Sequence, residues 1–263
     1  MTAKAPDPVA LRHPGTVAFF VQIMTRQMRS AFRAVRIAKP GLPDLPPDRP
    51  LIVYTNHPSW WDPAFCIVLQ PRLFPGREGY APIDEAMLRR YGFFRRIGLF
   101  GIEPDTPQGA HRFLSTARTI LADPQRMLWV TAQGRFADPR ERPLSLKPGV
   151  AHLLARTPDA IALPLALEYP FWSEKRPEAL ACFGAPLDAR EGLDAAAWTP
   201  RVEQALTETC DRLAALSQTR DPAAFDNLLA GRAGVGGVYG LWQRAKSLAR
   251  GERHRPDHIA EQP

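Results

Sequence analysis

The stretch that most constrains the fold is Leu51–Pro63, where a short apolar run leads into a polar turn and then into a second apolar run. Leu51–Tyr54 is apolar and partly β-branched, which predicts a buried strand. The turn residues that follow are Asn56, Pro58 and Ser59. Asp62, with Pro63 behind it, predicts the N-cap of a helix. We therefore expect a strand, a tight loop and a helix, with the chemistry in the loop.

His57 and Asp62 flank this turn. An imidazole there can reach the carboxylate, which would fix the tautomer of the ring and stabilise the imidazolium that forms when it takes a proton. Such a pair is a general base that needs no serine. The spacing alone is weak evidence, because six His and fifteen Asp in 263 residues give about 0.3 such pairs by chance. The structural alternative is that Asp62 only caps the helix and His57 fills the turn.

Length and composition bound the class of protein. A chain of 263 residues that is 45% hydrophobic can bury one sizeable core, as expected for one α/β domain. It has no run of eighteen apolar residues and no signal-like N-terminus, so we expect neither a membrane span nor secretion. Three widely spaced cysteines argue against a disulfide framework and favour a reducing compartment.

The net charge of +7 favours a negatively charged partner, which could be nucleic acid, an anionic membrane or a phosphorylated substrate. Two basic groups lie near the ends of the chain: Arg26, Arg29, Arg33, Arg36 and Lys39, and then Arg244, Lys246, Arg250, Arg253 and Arg255. The basic residues lie opposite apolar ones and do not alternate with stacking aromatic residues. This pattern favours a membrane surface over nucleic acid.

Segment 1–48 is predicted to form an amphipathic helix from about Thr16 to Ala38, followed by a Pro-rich linker. Large apolar residues recur there at three- and four-residue spacings, with arginines on the other face. Two interpretations are open. The helix lies in a membrane interface with its guanidinium groups on lipid phosphates, or it packs on the core with solvated arginines.

Segment 49–199 alternates strands with helices, which predicts an α/β core with a mostly parallel sheet covered by helices. Further strands are predicted at about 79–83, 98–102, 126–130, 160–169 and 180–183, and helices at 84–91, 108–121 and 148–156. Ligands of such sheets bind at the carboxyl ends of strands, where the His57 loop and the 133–135 loop fall. Segment 200–263 is predicted to be helical, at about 201–217, 222–230 and 241–248.

Four segments, in order between about 50 and 170, resemble the motifs of the glycerolipid acyltransferase superfamily, typified by 1-acylglycerol-3-phosphate acyltransferase. Asn56–Asp62 is similar to its first motif, Asn-His-x4-Asp. Ala132–Phe136 corresponds by position to its third motif, Pro-Glu-Gly-Thr-Arg. Leu146–Ala151 is similar to its Phe-Lys-x-Gly segment, and Ile161–Ala166 to its fourth motif, Val-Pro-Val.

The resemblance implies transfer of an acyl group from a thioester, acyl-CoA or acyl-ACP, to a lipid hydroxyl. His57 would be the general base and Asp62 its orienting partner. The substrate-binding residues that it implies are Asn56, Ser59, Gln133, Gly134, Arg135 and Pro164. No bound cofactor, metal or covalent intermediate is required. We expect a peripheral protein at the cytoplasmic face of the cell membrane, with anionic lipids, the lipid acceptor and, for acyl-ACP, the carrier protein as partners, and no nucleic acid.

The acceptor motifs depart from the family pattern. The family's second motif has an Arg and its third a Glu and an Arg, which serve recognition of a phosphorylated acceptor. Pro104 stands at the first Arg, Gln133 at the Glu and Phe136 at the second Arg. Arg135, at the family's Thr, is a nearby cation that Glu103 would oppose. The chain thus lacks two guanidinium groups of the kind that clamps phosphate.

These departures favour a neutral hydroxyl lipid as acceptor, such as a glycolipid or a glycosylated polyisoprenoid or carotenoid. Two alternatives stay open at this point. One is a conventional lysophospholipid (1-acylglycerol-3-phosphate) acyltransferase. The other is a non-catalytic lipid-binding relative.

Overall fold

The sheet of this protein has nine strands in the computed structural model, which describes residues 7–231. The strands are β1 Ala34–Ala38, β2 Leu51–Thr55, β3 Glu78–Asp84, β4 Leu99–Ile102, β5 Arg126–Thr131, β6 Ile161–Glu168, β7 Ala179–Phe183, β8 Leu187–Asp188 and β9 Phe225–Ala230. The α-helices are α1 Pro8–Leu11, α2 Pro14–Ala31, α3 Asp62–Leu73, α4 Glu85–Arg90, α5 Pro107–Leu121, α6 Gly149–Leu154 and α7 Ala195–Thr219. Short 3-10 turns span Gly92–Ile97, Ala189–Glu191 and Pro222–Ala224.

The strand order is β4-β3-β5-β2-β6-β7-β1-β9, with β8 paired to β6. Strands β4, β3, β5, β2 and β6 are mutually parallel, and β7, β8 and β9 supply the antiparallel pairs. The predicted α/β class with a mostly parallel sheet is confirmed. β2 lies between β5 and β6, so its carboxyl end is central in the sheet.

The alternation of side chains along β2 builds a core on each face of the sheet. Leu51 and Val53 pack with the residues of α2 and α3, whereas Ile52 and Tyr54 pack with those of α5, α6 and α7. All five residues of β2 are buried, as the apolar run predicts. The strand is therefore held from both sides, and the turn that follows it starts from a rigid position.

The predicted helix over 16–38 is wrong in its last part. Helix α2 ends at Ala31, and residues 34–38 form strand β1 between β7 and β9. Every residue of β1 is buried, including Arg36, whose Nε donates to Glu178 Oε2 at 3.0 Å. A solvated helix face would leave this arginine in water. The pairing partners of β1 lie more than a hundred residues away in the chain, so local periodicity could not reveal them.

Part of the apolar face of helix α2 packs on the core, as the second of its two interpretations predicts. Met28 is fully buried, and Met24 and Ala31 pack with α3. Arg26 and Arg29 lie on the exposed face. Among the described residues, no helix is long and apolar enough to cross a membrane.

The predicted C-terminal helices need two corrections. Helix α7 begins at Ala195 and runs through Pro200, because Asp194 caps it through Ala197 N at 2.8 Å and Trp198 is fully buried. These contacts offset the single hydrogen bond that proline removes. The predicted helix at 222–230 is a 3-10 turn followed by β9, which pairs with β1. The helix predicted at 241–248 lies outside the described residues.

The Arg36–Glu178 pair generates a stability prediction, because both side chains are almost completely buried. We expect Glu178→Ala to leave the guanidinium without its counter-charge and to lower the free energy of unfolding by about 3–5 kcal/mol. Urea unfolding followed by circular dichroism measures the change. The matched control is Asp159→Ala, which removes the partner of Arg190 in an exposed pair. We expect it to cost less than about 1 kcal/mol. Equal losses in the two variants would contradict the prediction.

Candidate active site

Three chain segments meet at the carboxyl ends of the central strands. The turn after β2 carries His57, the loop after β5 runs from Ala132 to Pro148, and β6 ends at Glu168, just before Tyr169. Because β2 pairs in parallel with both β5 and β6, these three ends lie side by side. This is the edge at which ligands of α/β sheets bind.

His57 and Asp62 form the predicted contact. Nδ1 of His57 lies 2.6 Å from Oδ2 of Asp62, whose side chain is 0% exposed, while the His57 side chain is 16% exposed. A carboxylate accepts hydrogen bonds, so Nδ1 carries the donated proton and Nε2 is left with the lone pair. The arrangement suits a base that takes a proton at Nε2.

The sequence predicted Asp62 as the N-cap of α3. In the structure Asp62 is instead the first residue of that helix. The cap position is Trp61, which makes no side-chain cap hydrogen bond. The Asp62 carboxylate turns back into the turn, where Oδ2 also accepts the N–H of Ser59 at 3.1 Å. The structural alternative of simple capping therefore does not describe this residue, because its oxygens bind the turn and the imidazole.

Tyr169 makes a contact with Asp62 that was not predicted from the sequence. Its hydroxyl donates to Oδ1 of Asp62 at 2.7 Å from a position just beyond β6. Burial raises the pKa of Tyr169 well above its usual range, and the charge of Asp62 raises it further. The phenol therefore stays protonated as a donor at neutral pH. The sequence feature that could have indicated it is a tyrosine, with its polar hydroxyl, just after the strand that pairs with β2.

Asn56 and Ser59, both predicted to bind substrate, are engaged within the protein. The Asn56 amide donates to the Leu167 carbonyl at 3.0 Å and accepts the Leu167 N–H at 2.8 Å, and the residue is buried. Ser59 Oγ accepts the N–H of Trp61 at 3.2 Å. The Asn56 amide is thus directed at the backbone of β6, and its predicted contact with substrate stays a prediction. Asn56 joins the turn to the sheet.

Gln133, which is also predicted to bind substrate, is turned inward. Its Oε1 accepts the backbone N–H of His57 at 2.9 Å, and its Nε2 donates to the Leu144 carbonyl at 3.1 Å. The N–H of Ala137 donates to the His57 carbonyl at 3.0 Å. Both backbone polar groups of His57 are thus held by one loop, and Gln133 is a support of the base.

Of the other residues predicted to bind substrate, two lie in the loop after β5 and one lies in β6. Gly134 has φ +66°, the left-handed region that favours glycine, and a Cβ there would come within 3.2 Å of Lys147. Arg135 pairs with Glu141, whereas the sequence suggested that Glu103 would oppose its charge. Pro164 is buried inside β6, opposite Tyr54, where the neighbour of β6 changes from β8 to β7. Pro164 is thus an interior residue of the sheet, and its predicted substrate-binding role stays a prediction.

Phe136, which stands where the family has an Arg, lies on the imidazole. The ring centroids of His57 and Phe136 are 4.3 Å apart with an interplanar angle of 33°, and Phe136 is 58% exposed. Trp60, in the turn itself, is also exposed. The immediate surroundings of His57 are thus aromatic on the solvent side.

The Acyltransferase family model matches residues 36–168, half of the chain, and includes the turn and the loop after β5. The chain belongs to this family, and the predicted resemblance to glycerolipid acyltransferases is confirmed.

Among solved structures, the chain is similar to the 1-acyl-sn-glycerophosphate (LPA) acyltransferase PlsC from Thermotoga maritima. The TM-score is 0.55 and the identity 14%, over 76% of this chain and 79% of that chain. At this identity the likeness concerns the fold. No curated protein matches the chain.

The His57–Asp62 contact generates a prediction about activity. We expect His57→Ala to abolish acyl transfer, because no other base lies in the turn. Asp62→Asn should retain some activity but lose on the order of 10²–10⁴-fold in kcat, because the imidazole is then badly held. Acyl transfer and circular dichroism are measured on both variants.

The control is His111→Ala, which removes an exposed histidine of α5. We expect wild-type activity from it. Full activity in Asp62→Asn would show that the buried pair is a structural contact only.

Proposed function

We propose that this acyltransferase moves a fatty acyl group from an acyl thioester, acyl-CoA or acyl-ACP, to the hydroxyl of a neutral lipid, with His57 as general base. The observation that carries the proposal is the 2.6 Å contact between Nδ1 of His57 and the buried Asp62, inside the segment that matches the Acyltransferase family. It leaves Nε2 available at the ligand-binding edge of the sheet.

The chemistry follows from this geometry in two steps. Nε2 of His57 takes the proton of the acceptor hydroxyl while its oxygen forms a bond to the thioester carbonyl carbon. Asp62 stabilises the imidazolium that results. When the tetrahedral intermediate collapses, the C–S bond breaks and the imidazolium gives its proton to the leaving thiolate. The products are the O-acylated lipid and the free thiol, and His57 is neutral again.

The charges around the base support a neutral acceptor. Every basic side chain between residues 133 and 147 is paired with a carboxylate. The pairs are Arg135–Glu141, Arg140–Asp138, Arg142–Asp211 and Lys147–Asp105. With Phe136 on the imidazole, the loop beside His57 offers a phosphate no unpaired cation. Sugar or polyol hydroxyls on a glycolipid, a polyisoprenoid or a carotenoid require no such cation.

The acceptor prediction is tested by competition. Wild-type enzyme is given labelled acyl-CoA or acyl-ACP with equal amounts of lysophosphatidic acid and a neutral glycolipid extract, and the products are identified by mass spectrometry. We expect acylated neutral lipid to dominate by at least about tenfold, because each charge-assisted hydrogen bond contributes roughly 1.5–3 kcal/mol and two clamps are absent. Efficient acylation of lysophosphatidic acid would restore the conventional lysophospholipid role. No product from any lipid alcohol would favour a non-catalytic lipid-binding protein.

A variant sharpens this test. Phe136→Arg returns the family residue to a position against His57, so the product ratio should move towards lysophosphatidic acid. Phe171→Arg adds the same charge to an exposed aromatic position after β6 and serves as the matched control. An equal shift in both variants would mean that net charge, and not position 136, decides the acceptor.

We also propose that the protein associates peripherally with an anionic membrane. An aromatic corner supports this, formed by Phe19 and Phe20 of α2 with Phe93 and Phe94 of the 3-10 turn. Phe20 stacks on Phe93 at 5.4 Å, and Phe19 and Phe93 are 58% and 46% exposed. Exposed arginines lie in the same or adjoining elements: Arg26 in α2, Arg89 and Arg90 in α4, and Arg96 in the 3-10 turn. Apolar rings beside guanidinium groups suit the boundary between acyl chains and anionic headgroups.

Sedimentation with vesicles tests this surface. We expect the protein to bind phosphatidylglycerol vesicles and to be released as salt rises, since screening weakens the arginine contribution. Replacing Phe19 and Phe93 together by serine should lower binding several-fold, because two exposed rings are lost. Phe171→Ser, on the loop after β6, should bind as the wild type does. Wild-type binding by the double variant would exclude the aromatic corner as the contact.

A further inference from the structure

The two oxygens of the Asp62 carboxylate are held by different parts of the fold. Oδ2 serves the turn, through His57 at 2.6 Å and Ser59 at 3.1 Å. Oδ1 accepts the hydroxyl of Tyr169 at 2.7 Å, and in the described part of the chain no second donor reaches that oxygen. The Asp62 side chain is 0% exposed, so bulk solvent does not reach this oxygen.

The ring of Tyr169 is fixed by aromatic packing. Its centroid lies 5.5 Å from that of Phe32, just after α2, and 6.2 Å from that of Phe65 in α3. Phe32 also packs edge-on against Trp61 at 5.1 Å. A phenol held between these rings presents its hydroxyl in one place, so the hydrogen bond to Oδ1 has a defined direction.

The end of β6 and the residue after it hold the turn at two points. Leu167 pairs through its backbone with the Asn56 amide, and Tyr169, two residues further, reaches Asp62. The residues before and after His57 in the turn are therefore tied to the same strand end. This leaves the imidazole between two fixed points.

We propose that Tyr169 is a positioning residue for acyl transfer: its hydroxyl fixes the rotation of the Asp62 carboxylate so that Oδ2 faces Nδ1 of His57, and it limits the negative charge offered to the imidazole. The proposal rests on the proposed role of His57 as general base. It assigns no contact between Tyr169 and the substrate.

Removing the hydroxyl has two physical consequences. The carboxylate loses the contact that sets its rotation, so the imidazole is held less well. The charge on Asp62 is also shared with one donor fewer, so it stabilises the imidazolium more strongly. A more stable imidazolium keeps its proton to higher pH. The acidic limb of the activity profile therefore moves to higher pH, and kcat falls where the base is already deprotonated.

The test compares Tyr169→Phe with Tyr54→Phe. Tyr54 is a buried tyrosine of β2 that packs on the other face of the sheet and donates to the Val202 carbonyl at 3.2 Å. Each variant keeps the ring and loses one hydrogen bond, but only one of the bonds reaches Asp62. Thermal unfolding of both variants measures what the hydrogen bond alone contributes to stability.

The direct readout is the titration of the His57 imidazole by nitrogen NMR of histidine-labelled protein, assigned with His57→Ala. We expect Tyr169→Phe to move this titration to higher pH and Tyr54→Phe to leave it unchanged. With acyl-CoA and the neutral lipid extract, kcat of Tyr169→Phe should fall about tenfold or more, as for a lost hydrogen bond to a charged group, with KM within about twofold. A titration equal to that of the wild type would overturn the proposal.

A second probe covers the case in which Tyr169→Phe does not fold. Placing 3-fluorotyrosine at position 169 keeps the shape and strengthens the donor, so the His57 titration should move in the opposite direction, to lower pH. No movement would again overturn the positioning role. The titration needs no substrate, so a wild-type protein that acylates nothing would count against the proposed function alone.

Discussion

The structure around His57 depends on one physical constraint: the carboxylate of Asp62 is buried, so its charge must be compensated by the protein. A buried charge is tolerated only where hydrogen bonds and an opposite charge compensate for lost water. Here the turn supplies His57 and the Ser59 N–H, and the end of β6 supplies Tyr169. The buried His57–Asp62 pair therefore depends on the strand order that places β6 beside β2, and not on the turn alone.

The same demand for compensation explains why polar residues of the first and third motifs turn inward. A tight loop at a sheet edge has backbone groups that must be paired. Gln133 satisfies the His57 N–H and the Leu144 carbonyl, and Asn56 satisfies both polar groups of Leu167. The residues left facing solvent around the base are the rings of Phe136 and Trp60. The imidazole is therefore supported by hydrogen-bonded backbone on the protein side and flanked by aromatic rings on the solvent side.

Prediction from the sequence succeeded where a residue's neighbours in the chain are also its neighbours in space. The strand at 51–54 and the helix after Asp62 follow from a local apolar pattern and turn chemistry. Predictions failed at β1, β9 and the start of α7, where distant pairing, a cap and the buried Trp198 outweigh local propensity. The physical reason is that hydrogen bonds between strands far apart in sequence leave no trace in a short window.

The sequence by itself determined the α/β class, the turn that brings His57 near Asp62, and the loss of two motif arginines at Pro104 and Phe136. Only the tertiary structure decided what the other polar residues of the motifs do. It placed Tyr169 on Asp62, over a separation of 107 residues, and laid Phe136 on the imidazole. The direction of a side chain depends on what packs around it, and that packing exists only once β5, β2 and β6 lie side by side.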